Sequence, residues 1–483
     1  MNWTPDLFPR TIPLAWSGRD LVAATGGEVL CGDIDRHFSG IGIDSRTLKA
    51  SEVFVAIRGE THDGHRFAQD VVAAGARGLI LERSSVSTEA LDQWRDLGVL
   101  CVAVDDTLNA LGNLGLFHRR RCPAQVVAIT GSNGKTTTRA MTTAVLEQRF
   151  AVAATRGNFN NAIGLPLSLF GLAPVHRWGV FEIGTNHPGE IDGLARICRP
   201  DLGVITNIGP AHLEGLGSLE GVREAKAELI GRLAPGGRMI LNFDDPQLRL
   251  LVDRCPVPPL GFGLCETAEV RAEDVRLKSD ALSFRLCLPG GRAAVRMAGG
   301  GAFMVINALA AAAVGWEAGL AADQIAAGLA AFTPVAGRMT VIRPGRRGVV
   351  LIDDSYNANP ASVAAAVDAL AARRGSGRTA LVLGEMRELG AASADLHYRV
   401  GEKAARAGID RLYVTGAQLA EAVAAGAVAA GMAAGDVRVA AKEEIVADLA
   451  AWLAPGDTIL VKGSRAAAME TVVAALNRVL KDD

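Results

Sequence analysis

A glycine-rich loop between an apolar segment and a helix-like segment constrains the fold of this chain more than any other feature. Residues 126–138 read Val-Val-Ala-Ile-Thr-Gly-Ser-Asn-Gly-Lys-Thr-Thr-Thr. The apolar run at 126–129 is typical of a buried strand, and the pattern after the loop predicts a helix that begins near Lys135. Glycines at such a turn let backbone N–H groups approach phosphate oxygens, and the helix N-terminus adds positive potential. The segment therefore predicts an α/β fold with a phosphate site at the carboxyl edge of a sheet.

The loop is a shortened variant of the general phosphate-binding pattern, because Ile129 stands where that pattern has its first glycine. We expect Lys135 to neutralise charge on the β- and γ-phosphates and Thr136 to place its hydroxyl on Mg²⁺. A tight turn without a ligand is the other interpretation. A GTPase is disfavoured because no Asn-Lys-x-Asp guanine signature follows in the sequence. The predicted phosphate-binding residues are Gly131, Ser132, Asn133, Gly134, Lys135, Thr136 and Thr137.

The length of 483 residues predicts about three domains. Strand-like and helix-like segments alternate through most of the chain, which predicts parallel sheets covered by helices. Short alternating segments over 262–297 predict a small antiparallel insertion. We predict an N-terminal α/β domain over 1–122, a central P-loop ATPase-like domain with a parallel sheet over 123–335, and a C-terminal Rossmann-like domain over 336–483.

Composition excludes several classes of protein. The chain has 50 Lys+Arg and 52 Asp+Glu residues, a net charge of −2, which argues against nucleic-acid partners and a polybasic membrane surface. A hydrophobic fraction of 49% argues against disorder. Seven cysteines without a CxxC pair predict neither a disulfide framework nor a zinc ribbon. Because no stretch of about 20 residues stays apolar and residues 1–16 do not resemble a signal peptide, we expect a cytoplasmic protein without membrane insertion.

Two further polar residues follow predicted strands of the central domain. Glu182 ends the segment 178–182, and His212 follows the segment 202–205. Parallel strands bring their carboxyl ends to one edge of a sheet, so both side chains are expected near the phosphate loop. Each residue alone is more often an ordinary loop or capping group, but their shared placement at strand ends favours a functional role.

Several long segments, in this order, resemble those of the Mur ligase family, the ATP-dependent amide-forming enzymes of peptidoglycan precursor synthesis. The loop at 130–137 resembles that family's phosphate loop. Four segments resemble its MurF branch: 157–166 (Gly-Asn-Phe-Asn-Asn-Ala-Ile-Gly-Leu-Pro), 182–191 (Glu-Ile-Gly-Thr-Asn-His-Pro-Gly-Glu-Ile), 353–360 (Asp-Asp-Ser-Tyr-Asn-Ala-Asn-Pro) and 461–470 (Val-Lys-Gly-Ser-Arg-Ala-Ala-Ala-Met-Glu). The Asp-Asn-Pro-Arg signature of the sister MurE branch is absent.

The resemblance implies a reaction centre with ATP and two Mg²⁺ ions. Lys135, Glu182, His212 and Lys226 match its catalytic positions. Thr136 and Glu182 would hold the first ion, and His212 the second. Lys226 matches a lysine that family members carry as a carbamate, an anion able to bind Mg²⁺, which an ammonium group cannot do. From the sequence alone, Lys226 is a helix-surface lysine among glutamates.

The resemblance also implies contacts with the nucleotide from outside the loop. Asn307 and Arg338 match positions that contact adenine and phosphates, and Asp354 matches a position near the ribose. Many relatives have His-Asn just before the position of Asn307, whereas this chain has Met304 in that motif. Met304 lacks the amide donor and acceptor that an adenine contact would use.

Substrate contacts are implied in all three domains. Ser45 and Arg46 resemble residues that bind the UDP end of the substrate, and both side chains are good donors to a diphosphate. Lys462, Ser464 and Arg465 are expected to receive the carboxylate of an incoming dipeptide. The other expected substrate contacts are Asn158, Asn160, Asn161, Tyr356, Asn357 and Asn359.

The implied reaction joins D-alanyl-D-alanine to UDP-N-acetylmuramoyl-tripeptide. The products would be UDP-N-acetylmuramoyl-pentapeptide, ADP and phosphate, with an acyl phosphate as the intermediate. We expect the protein to be a monomer. The alternatives are another Mur-family or folylpolyglutamate-type ligase, and a non-catalytic regulator that binds nucleotide on the same fold.

Overall fold

The structure is a computed structural model that describes residues 14–59, 62–278, 281–345, 348–374, 377–416 and 419–482. Residues 1–13, on which most of the expectation about a signal peptide rests, lie outside the described residues. In the part of the chain that is described, no helix is both long enough and apolar enough to cross a membrane.

The N-terminal unit is built on a mostly parallel sheet with strand order β2-β7-β6-β5-β4. Its strands are β1 (Trp16–Ser17), β2 (Glu28–Cys31), β3 (His37–Phe38), β4 (Gly40–Gly42), β5 (Glu52–Val55), β6 (Gly78–Glu82) and β7 (Leu100–Val104). Its helices are α1 (Gly18–Thr25), α2 (Ala68–Ala73), α3 (Thr88–Asp96) and α4 (Thr107–Arg121). Every residue of β7 is buried, because helices cover both faces of the sheet.

The central unit contains a long mixed sheet of order β16-β15-β14-β13-β12-β11-β8-β10-β9. Its strands are β8 (Gln125–Thr130), β9 (Val152–Ala154), β10 (Trp178–Glu182), β11 (Leu202–Ile205), β12 (Arg238–Asn242), β13 (Leu260–Gly263), β14 (Val270–Lys278), β15 (Ala281–Leu288) and β16 (Gly291–Ala298). Its helices are α5 (Lys135–Leu146), α6 (Gly164–Leu169), α7 (Glu190–Cys198), α8 (Leu213–Leu216), α9 (Leu219–Ala227), α10 (Pro246–Arg249), α11 (Met304–Glu317) and α12 (Ala322–Ala331).

The order of these strands explains where the phosphate loop lies. Strand β8 is flanked by β10 and β11, and all three are parallel. Glu182 is the register partner of Ile129, and Ile205 is the register partner of Thr130. The segments that follow β8, β10 and β11 therefore leave the sheet side by side at one edge.

The segment expected to be a small antiparallel insertion forms β14, β15 and β16, which are antiparallel to one another as predicted. The strands do not form a separate element, however. Strand β14 pairs with β13 in parallel, so the three strands extend the central sheet. Alternation along β15 and β16 puts apolar side chains on the face that packs against α11 and α12.

Small residues allow close helix packing in the central unit. Residues 308–313 of α11 are five alanines and Leu309, and all six are completely buried. A Cβ added to Gly315 or Gly328 would approach Val145 of α5 to 2.6 Å or less. The alanine and glycine content of this region thus lets α11 and α12 pack directly on α5.

The C-terminal unit has a sheet of order β17-β18-β22-β19-β20-β21, parallel except for β17. Its strands are β17 (Thr340–Ile342), β18 (Val350–Asp354), β19 (Thr379–Gly384), β20 (Arg411–Thr415), β21 (Val437–Val439) and β22 (Thr458–Lys462). Its helices are α13 (Pro360–Ala371), α14 (Ser393–Arg406), α15 (Ala420–Ala429), α16 (Lys442–Trp452) and α17 (Glu470–Asp482). Its two apolar clusters lie on opposite faces of the sheet, as expected for a doubly wound unit.

Candidate functional site

The glycine-rich loop connects β8 to α5, and α5 begins at Lys135 as predicted. Gly131 has a φ of +147° and Gly134 a φ of +82°. A Cβ on Gly131 would lie 1.9 Å from Thr206 Oγ1, and a Cβ on Gly134 would lie 2.3 Å from Asn307 Oδ1. Both positions require glycine for conformation and for space.

The segment after β11 fixes the shape of the loop. The Ser132 hydroxyl donates to the carbonyl of Gly209 and accepts from its N–H, both at 2.9 Å. The N–H of Asn133 donates to Asn207 Oδ1 at 2.9 Å, and the Thr206 hydroxyl donates to the Asn133 carbonyl at 2.5 Å. The loop is therefore held in one conformation by its neighbouring strand end.

Lys135 is half-buried, lines the cavity and carries the central positive charge of the loop. Its ammonium group donates to the carbonyl of Gly131 at 2.7 Å. Burial lowers the pKa of Lys135, the carboxylate of Glu182 opposes that change, and the guanidinium of Arg338 adds to it. A bound phosphate would offset the cost of burying the Lys135 ammonium and its repulsion by Arg338. The surroundings of Lys135 therefore favour an anionic ligand.

Glu182 is buried, and its carboxylate is held on both oxygens. Thr136 donates its hydroxyl hydrogen to Oε2 at 3.0 Å, and Asn160 donates its amide hydrogen to Oε1 at 2.8 Å. The guanidinium of Arg139 lies 3.9 Å from Oε2. The hydroxyl of Thr155 accepts from the N–H of Glu182 at 2.9 Å. These contacts fix the carboxylate beside the phosphate loop.

The pair formed by Thr136 and Glu182 fits a Mg²⁺ ion, because both offer oxygen atoms of the kind that this ion prefers. Within the described residues, no three His, Cys, Asp or Glu side chains converge on a point that could hold a metal. Mg²⁺ commonly keeps water and phosphate oxygens among its ligands, so two protein oxygens are enough for such a site.

His212 follows β11 and faces the C-terminal unit. Its backbone is left-handed, with a φ of +56°. Its Nδ1 contacts the carboxylate of Glu388, which comes from the segment after β19. The hydrogen bond from His212 lowers the pKa of Glu388, and burial partly opposes this change.

Lys226 is buried near the end of α9, with 2% of its surface exposed. Burial lowers its pKa well below the ordinary value of 10.5, and the positive charge of Lys135 lowers it further. The expectation from the sequence that Lys226 lies on a helix surface is wrong, because the side of α9 that carries it packs inward.

Arg338 lies on the opposite wall of the site, and its guanidinium packs on the ring of Tyr356. The guanidinium carbon of Arg338 lies 4.2 Å from the centroid of the Tyr356 ring, and that of Arg465 lies 5.9 Å from it. The amide of Asn359 donates to Asn133 Oδ1 of the phosphate loop at 2.8 Å. The C-terminal unit is thus in direct contact with the loop.

Asp354 and Lys462 pair with each other just behind this wall. The ammonium group of Lys462 donates to Asp354 Oδ2 at 2.5 Å and to the carbonyl of Asn357 at 2.9 Å. Burial lowers the pKa of Lys462, and Asp354 opposes that change. The hydroxyl oxygen of Ser464 is also buried and, among the described residues, has no hydrogen-bond partner.

A cavity of about 440 Å³ lies between the phosphate loop and the C-terminal unit. Most of the residues that line it were predicted from the sequence, and they are Ser132, Asn133, Gly134, Lys135, Thr136, Thr137, His212, Arg338, Asn357, Asn359, Ser464 and Arg465. Sequence reasoning missed the lining residues Ala211, Ala358, Ser362, Arg387, Glu388 and Ala466. Three of the four residues directly after β19, at 385–388, are charged, and this was a signal that could have indicated Glu388.

Other predicted residues lie outside the lining of this cavity. Gly131, Glu182 and Asn307 contact lining residues from behind. Asn161 Oδ1 accepts from the N–H of Gly164, the first residue of α6, at 2.9 Å, and Asn158 is exposed. In the N-terminal unit, exposed Arg46 folds back on Asp44 next to Ser45, and its hydrogen bonds lower the pKa of Asp44 to about 2.

Family models match most of the chain. The Mur ligase family catalytic domain matches residues 37–118, the Mur ligase middle domain matches residues 129–315, and the Mur ligase glutamate ligase domain matches residues 337–465. The UDP-N-acetylmuramoyl-tripeptide–D-alanyl-D-alanine ligase of Escherichia coli (strain K12) is 37% identical over 457 residues, which cover 93% of this chain and 96% of the relative.

Solved structures agree with these matches. A crystal structure of MurF from Acinetobacter baumannii superposes with a TM-score of 0.88 at 31% identity, covering 97% of this chain and all of that one. The MurF ligase from Thermotoga maritima, solved in complex with ADP, gives a TM-score of 0.80 at 29% identity and covers 92% and 98% of the two chains.

Proposed function

The chain belongs to the Mur ligase family, and from this premise we propose that it joins D-alanyl-D-alanine to UDP-N-acetylmuramoyl-tripeptide at the expense of ATP. The observation that carries the proposal is the cavity itself. A phosphate loop lies on one wall, and Arg338, Ser464 and Arg465 lie on the wall provided by the C-terminal unit. Such a cavity can hold a nucleoside triphosphate and a carboxylate acceptor side by side.

In the first step, an oxygen of the tripeptide carboxylate attacks the γ-phosphorus of ATP. A bond forms between that oxygen and phosphorus, the bond to the β-phosphate oxygen breaks, and ADP leaves. The reactants are both anions, so their approach must be compensated by positive charge. Lys135 and Arg338 supply fixed cationic groups at the two walls of the cavity.

We propose that Thr136 and Glu182 hold one Mg²⁺ and that His212, with a carbamate on Lys226, holds a second. When bound, Mg²⁺ neutralises phosphate charge and favours the displacement. Thr136, Asn160 and Arg139 keep the Glu182 carboxylate in place. The lowered pKa of Lys226 supports the carbamate, because only an unprotonated amine adds to CO₂, giving a carbamate anion and a proton.

In the second step, the amine of D-alanyl-D-alanine attacks the acyl carbon, phosphate leaves, and the nitrogen loses a proton. Ser464 and Arg465 are the proposed partners of the dipeptide carboxylate. The unpaired hydroxyl of Ser464 supports this role, since a buried donor without a partner favours a polar ligand. Direct contact between Asn359 and Asn133 keeps the two walls together, which limits the access of water to the acyl phosphate.

Each of the three units has a proposed ligand. Residues 1–122 would bind the UDP end of the substrate through Ser45 and Arg46, residues 123–335 would bind ATP, and residues 336–483 would bind the dipeptide. We propose that the protein is a cytoplasmic monomer. All seven cysteines are free, which is in line with a reducing compartment, and one chain supplies both walls of the cavity.

The experiment that tests the proposal follows ADP release with UDP-N-acetylmuramoyl-tripeptide as the acceptor substrate. We expect sustained ADP release only when D-alanyl-D-alanine is added, with the pentapeptide product seen by mass spectrometry. Release that depends on a free amino acid instead would favour another ligase of the family. Nucleotide binding without ADP release, whatever acceptor is supplied, would favour a regulator.

A further inference from the structure

The contact between His212 and Glu388 joins the central unit to the C-terminal unit. Glu388 Oε2 accepts from His212 Nδ1, and the two residues are separated by 176 positions in the chain. The backbone makes a second contact, in which the N–H of Glu214 donates to the carbonyl of Glu388 at 3.2 Å. Both side chains line the cavity next to the phosphate loop.

Both residues have an unfavourable backbone conformation. The φ of His212 is +56° and that of Glu388 is +63°. Residues with a Cβ rarely adopt this left-handed region, and they keep it only where surrounding contacts impose it. The fold therefore imposes the backbone conformation at both residues, and their side chains meet across the two units.

The loop that carries Glu388 is anchored from within the C-terminal unit. The N–H of Met386 donates to Nε2 of the buried His397 at 3.1 Å, and His397 Nδ1 donates to the carbonyl of Ser393 at 2.7 Å. The N–H of Ser464 donates to the carbonyl of Glu385 at 3.1 Å. The backbone that carries Glu388 is therefore tied to the rest of the unit.

A carboxylate on Nδ1 of a histidine fixes the orientation of the ring and keeps the proton on Nδ1, so that the lone pair of Nε2 is available to a metal ion. We propose that Glu388 is a positioning residue that orients His212 for a divalent cation. Because Glu388 comes from the C-terminal unit, the cation site is complete only when that unit packs against the central unit. This inference rests on the proposed function in so far as His212 is taken as a metal ligand.

The test measures Mn²⁺ affinity rather than turnover. Free Mn²⁺ is titrated by electron paramagnetic resonance in the presence of a non-hydrolysable ATP analogue, and the relevant site is the one that His212→Ala weakens. We expect Glu388→Ala to weaken this site about tenfold or more. Glu388→Gln should recover most of the loss, because its amide oxygen can still accept from Nδ1. Glu443→Ala, a change at an exposed position of α16, should bind Mn²⁺ as the unchanged protein does.

The double variant Glu388→Ala/His212→Ala distinguishes positioning from an independent role. If Glu388 acts through His212, the double variant should bind Mn²⁺ no more weakly than His212→Ala alone. The proposal is overturned if Glu388→Ala binds Mn²⁺ as tightly as the unchanged protein does, or if Glu388→Gln binds it as weakly as Glu388→Ala does. It is also overturned if the affinity losses of Glu388→Ala and His212→Ala multiply in the double variant. The Mn²⁺ titrations do not require D-alanyl-D-alanine. They can therefore be interpreted even if the protein does not ligate that dipeptide.

Discussion

Lys462 donates a hydrogen bond of 2.5 Å to Asp354, and both side chains are almost completely buried. The two residues are register partners at the ends of the neighbouring strands β22 and β18. Lys462 also donates to the carbonyl of Asn357, and Asp354 accepts from the N–H of Met339 at 3.1 Å. Because Asn357 lines the cavity and Met339 follows Arg338, the ion pair positions two segments of the cavity wall.

Replacing Lys462 by methionine should destabilise the protein strongly, because it leaves the Asp354 carboxylate buried without its cation. We expect a loss of about 3–5 kcal/mol in the free energy of unfolding, measured by urea denaturation. The double variant Lys462→Met/Asp354→Asn should recover part of this loss. Lys403→Met is the matched control, since Lys403 pairs with Asp368 at the surface and its removal should cost less than about 1 kcal/mol. Equal stability of the two single variants would contradict the prediction.

The hydrogen bond between Asn359 and Asn133 can be separated from the helix cap that Asn359 also provides. Asn359 Oδ1 accepts from the N–H of Ser362 at 2.8 Å and caps α13, whereas its Nδ2 reaches the phosphate loop. Asn359→Ser should keep the cap and lose the contact with the loop, so we expect near-normal stability and about fivefold weaker ADP binding by calorimetry. Asn359→Ala should lose about 1 kcal/mol of stability as well. Unchanged ADP affinity in both variants would show that this contact does not support the nucleotide site.

The phosphate loop and the residues beside it could be predicted from the sequence, because patterns of neighbouring residues determine their positions. The strand, the glycine turn and the helix start at Lys135 are adjacent in sequence, and their order alone indicates a phosphate loop. Glu182 and His212 could be located near it because parallel strands end at one edge of a sheet. The structure has both residues beside the loop.

Side-chain pairings across long stretches of sequence could not be predicted. Asn160 was expected to contact substrate, but its amide holds Glu182 in place. Lys462 was expected to receive a carboxylate from the dipeptide, whereas in the structure it is bound to Asp354. Such pairings depend on the register of strands and on the packing of two units, and neither is encoded in a local pattern.

His118 should make stability depend on pH in mildly acidic solution. It is buried between Trp16 and Phe170, and its Nε2 donates to the carbonyl of Leu172 at 2.9 Å. Burial lowers its pKa in the folded protein, so the unfolded chain binds a proton more readily. Stability from this residue is therefore present above about pH 6.5 and is lost as the pH falls below it, by at most about 1.4 kcal/mol per pH unit.

The measurement compares urea midpoints at pH 7.5 and pH 5.5. The glutamine of His118→Gln can still donate to the carbonyl of Leu172 but does not titrate. We therefore expect its stability to fall less between pH 7.5 and pH 5.5 than that of the unchanged protein. His37→Gln, at an exposed position of β3, is the control and should leave the pH dependence as it was. An identical loss in His118→Gln and in the unchanged protein would assign the acid sensitivity to other groups.

Lys226 should be needed for catalysis only in its carbamylated form. Lys226→Ala should lose most of the D-alanyl-D-alanine-dependent ADP release, by about 100-fold or more, because an anionic metal ligand is removed. Short carboxylic acids should restore part of the activity, since their carboxylate can supply the anionic group that the alanine lacks. Lys135→Ala should also lose activity, but no carboxylic acid should restore it, because there the missing group is a cation. Near-normal turnover of Lys226→Ala without any added acid would refute the carbamate role.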